Sequence, residues 1–201
     1  PDSRITPVLP PGRIRADLGI SDASLVFICI GGNKPVKGSE QIIRAFAAAF
    51  APCPSGSAKE NPTPGSSDSA ACSSPVHLIL VGVDPALWQP LCAELGLSER
   101  VHCIPPTEGI ADYLAAGDVF VLPSLSESMP NTLLEAVRAG LPAIGTAVGA
   151  VPDIIRDCGL TVPPGDIPAL AEAMRRLADD PDMRARLTAG AREQERLYRP
   201  Q

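Results

Sequence analysis

Three groups in this chain have the types and spacing to handle an anion and the charge that develops beside it. Glu127 and Glu135 stand eight residues apart, with Pro130, Asn131 and Thr132 between them. Pro130 suits the first turn of a helix, where its missing N–H leaves no bond unmade. The N–H groups of such a helix start, with the positive end of its dipole, accept a phosphate. Glu135 shares a helix face with Asn131 by i,i+4 spacing, and at 1.5 Å per residue the two acids are at most roughly 12 Å apart along the axis. A phosphate fits between them. The third group is Lys37, in the turn Gly31-Gly32-Asn33-Lys34-Pro35-Val36-Lys37-Gly38, where glycines let backbone approach a phosphate that a lysine can reach. That turn matches neither the Walker pattern nor the dinucleotide fingerprint. Spacing alone carries little in a chain with 23 Asp and Glu. The ordinary readings are a solvated loop acid for Glu127, an i,i+3 partner of Arg138 for Glu135 and a solvated charge for Lys37.

The elements around these residues set their positions. Val119 to Leu122 is a short apolar run stopped by Pro123, as expected of a strand buried on both faces of a parallel sheet. Leu133, Leu134 and Val137 form the apolar face of a helix that ends at Gly140, and Leu141 to Gly145 is the next strand. This leaves the loop Ser124 to Met129 at the carboxyl end of the sheet, where open α/β folds bind ligands. Upstream, strands are expected at Leu25 to Ile30, Val76 to Val81 and Val101 to Ile104, with helices at Arg13 to Leu18, Ser39 to Phe50, Pro85 to Leu95 and Gly109 to Ala116. Downstream come an edge strand, Leu160 to Pro163, and helices Ile167 to Leu177 and Met183 to Leu197. The alternation requires an α/β fold with a doubly wound parallel sheet. Residues 1–20 read as a hinge or lead-in segment, 21–182 as a Rossmann-like domain and 183–201 as a C-terminal helix. Asp180-Pro181-Asp182 reads as a helix start rather than a cation site. His77 and His102 stand at strand starts without ligand-spaced partners and read as structural.

Composition narrows the partners. The 201 residues carry a net charge of −6 and no basic patch, which argues against nucleic acid. No apolar run approaches the length of a transmembrane segment. The six Cys have irregular spacing with no Cys-x-x-Cys pair, Cys29 and Cys103 fall in strands where a thiol is a small hydrophobe, and a reduced cytoplasmic setting is the default. A disulfide between Cys53 and Cys72 is conceivable, though nothing fixes their approach. Pro1 is not a translation start, and the chain is expected to be a fragment.

The central stretch resembles the signature of the retaining glycosyltransferases of family 4, the glycosyl transferases group 1. Pro123, Ser124, Glu127, Pro130, Asn131, Leu134, Glu135, Ala136, Gly140, Leu141, Pro142, Gly149 and Pro152 stand where that pattern has them. Ser128, Ala150 and Asp153 replace a Gly, a Gly and a Glu, and no charge is lost. The resemblance implies the donor-binding half of a two-domain GT-B fold, an N-terminal acceptor domain outside this chain and a nucleotide diphosphate sugar as donor. It further implies transfer with retention of configuration, without metal or other cofactor, by an enzyme inactive as this fragment alone. Lys37 and Glu127 would be catalytic. Gly32, Asn33, Ser128, Met129, Pro130, Asn131, Thr132 and Glu135 would hold the donor, with the backbone of Ile104 and Pro105 at the base. The family's Arg in the Lys37 turn is missing here or replaced by Lys34. Two alternatives stay open: a binding module that holds nucleotide sugar without transferring it, and a sugar-nucleotide epimerase.

Residues 51–75 are dominated by Pro, Ser, Gly and Ala without apolar periodicity and read as a low-complexity surface insert. Loop-closure cost grows slowly with length, so replacing them with a short Gly/Ser linker should leave the thermal midpoint within about 5 °C. A larger drop in a melting experiment would show that the insert packs.

Overall fold

The computed structural model describes residues 6–10, 12–50 and 75–197. Most of the insert, and with it Cys53 and Cys72, lies outside the described residues. Six strands form one parallel sheet: β1 (Leu25–Ile30), β2 (Val76–Val81), β3 (Val101–Ile104), β4 (Val119–Leu122), β5 (Ala143–Thr146) and β6 (Gly159–Val162), in the order β3-β2-β1-β4-β5-β6. The order reverses between β1 and β4. The chain is Rossmann-like, as the alternation of elements requires.

Strand side chains alternate between two cores. Leu25, Phe27 and Cys29 of β1 and Val119 and Val121 of β4 enter the first, while Val26, Ile28, Phe120 and Leu122 enter the second. The first core is roofed by α2 (Ser39–Phe50), α3 (Pro85–Glu94) and α7 (Ile167–Asp179), through Ile42, Ile43, Phe46, Cys92 and Leu170. The second is roofed by α4 (Ile110–Ala116), α5 (Asn131–Arg138) and α6 (Val151–Ile155), through Leu114, Leu133, Ala136, Val137 and Ile155. Helix α8 (Pro181–Leu197) bridges the two, with Met183 and Leu187 against the first core and Ala191 in the second. Burial pushes the Cys29 thiol up to about 12, so it behaves as the small hydrophobe expected.

Local chemistry explains where the boundaries fall. The strand expected from Leu141 begins at Ala143, because the Leu141 N–H bonds to the Ala136 carbonyl and the Gly140 N–H to that of Val137. Those two bonds, with Gly140 at φ 82°, are a Schellman cap, and Leu141 belongs to the helix end. Pro130, expected inside the first helical turn, is the N-cap of α5 instead, its carbonyl accepting from Leu133 and Leu134. The last helix starts at Pro181 rather than Met183, since Asp180 caps it by accepting the Met183 N–H at 2.7 Å. Asp180-Pro181-Asp182 is thus a helix start. The short helix α1 (Arg13–Asp17) is riveted to the amino ends of the strands by Arg15, which donates to Ala116 O, Ser24 O and Asp118 Oδ2.

His77 and His102 do have partners: each other. They stack across β2 and β3 with ring centroids 5.4 Å apart and Nδ1 of His77 3.2 Å from Nε2 of His102. Burial lowers the affinity of both rings for a proton, helped at His77 by Arg100 and then Arg15, and at His102 by His77. The unfolded chain, with His near 6.5, therefore binds more protons than the folded one as pH falls through that value. Stability is full above about pH 6.5 and declines below it. Thermal midpoints measured between about pH 7.5 and 5 should fall with acidity, and less so in His102→Gln. An equal slope in the variant would exclude the pair as its source.

Gly38 joins the turn after β1 to the end of β4. It has φ 73°, and a Cβ there would lie 2.1 Å from the Pro123 carbonyl oxygen. Left-handed backbone costs a residue with a side chain about 1–2 kcal/mol, and the overlap adds to that. Gly38→Ala should lower the thermal midpoint by about 5 °C or more. A midpoint unchanged within error would show that the two segments separate freely.

Candidate functional site

Where the strand order reverses, the segments leaving β1 and β4 run to opposite faces, the point at which open α/β sheets hold ligands. The turn after β1 closes with a 3₁₀ turn, Pro35–Lys37, that puts Lys37 immediately before Gly38. The loop after β4 is held on both sides. On one side the Leu125 N–H donates to the Val36 carbonyl at 2.8 Å, next to the Gly38–Pro123 contact. On the other, Gly149, at φ 50°, lies so close that a Cβ would be 2.1 Å from the Glu127 carbonyl oxygen. Only glycine fits there. The backbone of Glu127 is fixed by packing before its side chain bonds to anything.

Its carboxylate then gathers two donors on one oxygen. Lys37 Nζ lies 2.8 Å from Glu127 Oε1, and the Ser124 hydroxyl donates to the same Oε1 at 2.8 Å. Ser124 is fully buried. Its carbonyl in turn accepts from the buried hydroxyl of Thr146, at the end of β5. Among the described residues, no hydrogen bond reaches Oε2. The Lys37 side chain is 40% exposed and that of Glu127 12%. The lysine end is open to solvent and the acid end is largely covered, so what matters for the site is the position the pair fixes. One cation and one largely sheltered acid are in contact where the strand order reverses.

The other expected residues divide. Pro130, Asn131 and Thr132 form the start of α5, whose N-cap residue, Pro130, makes no side-chain cap bond. Its first N–H groups point along the helix axis to the carboxyl end of the sheet, beside the Glu127 loop. Glu135 is half-buried in the second turn of α5, and Ser128 and Met129 are exposed in the loop before it. The Gly32 carbonyl accepts from the Ser39 hydroxyl at 2.8 Å, tying the turn to α2. Asn33 is turned the other way: its side-chain oxygen accepts from the Asp84 N–H at 2.9 Å and from Trp88 Nε1 at 3.3 Å, clasping the turn before α3. The Ile104 carbonyl is engaged by the N–H groups of Gly82 and Val83, with Pro105 exposed beyond it. Lys34 is exposed, and no ion pair reaches it among the described residues. The same residues contain no cluster of three or more His, Cys, Asp or Glu able to hold a metal, and no helix long and apolar enough to cross a membrane.

Sequence reasoning named Lys37 and Glu127 separately and missed their contact, which spans 90 positions. It had Ser124 only as part of a pattern, three residues before the acid. Nothing in the sequence marked Thr146, whose part depends on β5 lying beside β4.

Comparison with known proteins gives the family and the fold. The sequence model described as Glycosyl transferases group 1 matches residues 24–180. The chain is 31% identical over 193 residues to the D-inositol 3-phosphate glycosyltransferase of Streptomyces scabiei, covering 94% of this chain and 41% of that protein. It superposes on sucrose-phosphate synthase from Thermosynechococcus elongatus with a TM-score of 0.71 and 28% identity, over 96% of this chain and 45% of that one. Anabaena HepE in complex with UDP gives a TM-score of 0.74 at 21% identity, over 98% and 49%. The chain thus spans about two fifths of the length of the curated relatives it matches, and its fold is one half of the GT-B arrangement. With a family match across most of the sheet and its crossovers, the chain belongs to the glycosyl transferases group 1.

Proposed function

We propose that this chain is the donor-binding half of a glycosyltransferase that moves a sugar from a nucleotide diphosphate to an acceptor, with retention of configuration and without a metal. The observation that carries the reading is the contact of Lys37 with Glu127 in the loop that leads into the start of α5. When the bond between the anomeric carbon and the diphosphate breaks, the leaving oxygen gains negative charge and the carbon gains positive charge. Lys37 and the α5 N–H groups stabilise the first, supplying the positive charge that a cation would otherwise provide. The Glu127 carboxylate balances the second. The two developing charges are neighbours in the substrate, and the two side chains that answer them are neighbours in the fold. Glu135, further along α5, takes the ribose hydroxyls. The UDP in the HepE complex is a ligand of the chemistry this reading requires.

A second reading, a module that holds nucleotide sugar without transferring it, draws on the absence of an Arg between Gly31 and Gly38. The test separates the two. Calorimetry with UDP, GDP and ADP, with and without chelator, should show one nucleotide diphosphate bound equally well in both conditions, with affinity lowered about tenfold or more by Lys37→Ala and by Glu135→Ala. Glu127→Gln should leave that affinity nearly unchanged while lowering turnover of the full-length gene product roughly a hundredfold. Binding lost to chelator would overturn the metal-free reading. Undiminished turnover in Glu127→Gln would remove that residue from the chemistry.

A further inference from the structure

We infer that Ser124 is a positioning residue whose hydroxyl keeps the Glu127 carboxylate in place once Lys37 turns to the donor's diphosphate, an inference that rests on the donor-site reading above. Oε1 of Glu127 has two donors, Lys37 Nζ and Ser124 Oγ, each at 2.8 Å. They are unequal anchors. Lys37 is 40% exposed on a flexible four-carbon stem, and a diphosphate offers it more charge than one carboxylate does. Ser124 is fully buried with a single short χ1 lever, and its backbone is tied by the Thr146 hydroxyl to the end of β5. It cannot follow the phosphate.

Bound donor therefore leaves Ser124 as the one bond, among the described residues, still fixing the carboxylate. Because that bond holds Oε1, it also decides which oxygen remains to meet the sugar, namely Oε2. Removing the hydroxyl frees rotation about the last side-chain bond of Glu127 and leaves the nucleotide contacts untouched. The loss should fall on the transition state, where the charge at the anomeric carbon needs a fixed counter-charge, and spare ground-state nucleotide binding.

The experiment uses the full-length gene product, the nucleotide sugar it turns over among UDP-glucose, UDP-N-acetylglucosamine and GDP-mannose, and the matching free diphosphate. Ser124→Ala should lower kcat roughly tenfold or more, the loss of a bond to a charged group, with the KM for donor and the diphosphate affinity changed less than about twofold. In a Glu127→Gln background the same substitution should cost almost nothing further, since the two residues act as a unit. A merely structural role would lower kcat equally in both backgrounds, and that outcome overturns the inference, as does wild-type kcat in Ser124→Ala. If Ser124→Ala does not fold, Thr146→Val, which keeps the shape of β5 and loosens the Ser124 backbone, should lower kcat about threefold at unchanged KM, and unchanged kcat there overturns the inference too. Glu127→Gln alone separates the two levels: if it keeps wild-type turnover, or if no donor is turned over, the donor-site reading has failed and this inference falls with it. If Glu127→Gln is impaired and Ser124→Ala is not, the inference alone has failed.

Discussion

The right-handed crossover is the constraint from which the site follows. A parallel strand reaches its neighbour only by passing over one face of the sheet, and the hand of that passage is fixed. The chain leaves β1 toward β2 and leaves β4 toward β5, in opposite directions along the sheet, so α2 and α5 must cover opposite faces. Their buried side chains show it, with Ile42, Ile43 and Phe46 in one core and Leu133, Ala136 and Val137 in the other. The two helices diverge from adjacent strand ends. Lys37 and Glu127 are the side chains delivered to the point where they diverge.

Delivery to within hydrogen-bond distance requires tighter control than topology gives. Here the control is close packing of backbone: Gly38 against Pro123, and Gly149 against Glu127. At both places a single methyl group would overlap a carbonyl oxygen, so the segments approach as nearly as chains can. The loop after β4 is thereby clamped between the turn after β1 and the turn after β5, with Leu125 N–H to Val36 O as the hydrogen bond that sets its register. Interiors packed at this density are poor at gradual deformation. The position of the acid is set by three strand ends at once.

This division also explains what could be read from sequence. β1, β2, β3 and β4 have the bounds expected of them, because each is an apolar run, interrupted only by His77 in β2 and His102 in β3, that stops at Gly or Pro, and α2 lies where its apolar period placed it. The start of β5 was missed because a Schellman cap reaches two residues past the helix, and Leu141 looks apolar in either role. The histidine pair was missed because its contact depends on the register of β2 with β3, which pairs Ile79 with His102. A local pattern cannot supply that. The candidate site splits the same way: Glu127, Pro130 and Glu135 are spaced along one helix start and can be seen in one line of sequence. The Lys37 contact and the Thr146 bond are made across strands, and only the order of the sheet brings them into reach.

An acidic chain, with net charge −6, must still hold an anion if the donor reading is right. The pairing of Lys37 with Glu127 looks at first like an obstacle, since the cation is already taken. Magnitudes argue otherwise. The Lys37 end of the pair is open to solvent, which weakens its hold on the lysine, whereas a diphosphate brings more than one charge to a site where helix N–H groups add to the lysine. The carboxylate is thus a weak competitor for Lys37, and a useful one. It holds the lysine beside the loop after β4, and on the donor reading an exchange to phosphate would leave Glu127 the Ser124 hydroxyl on the same oxygen. On that reading the Lys37–Glu127 contact is a charge arrangement that the substrate's own charges would separate, cation to phosphate and acid to anomeric carbon.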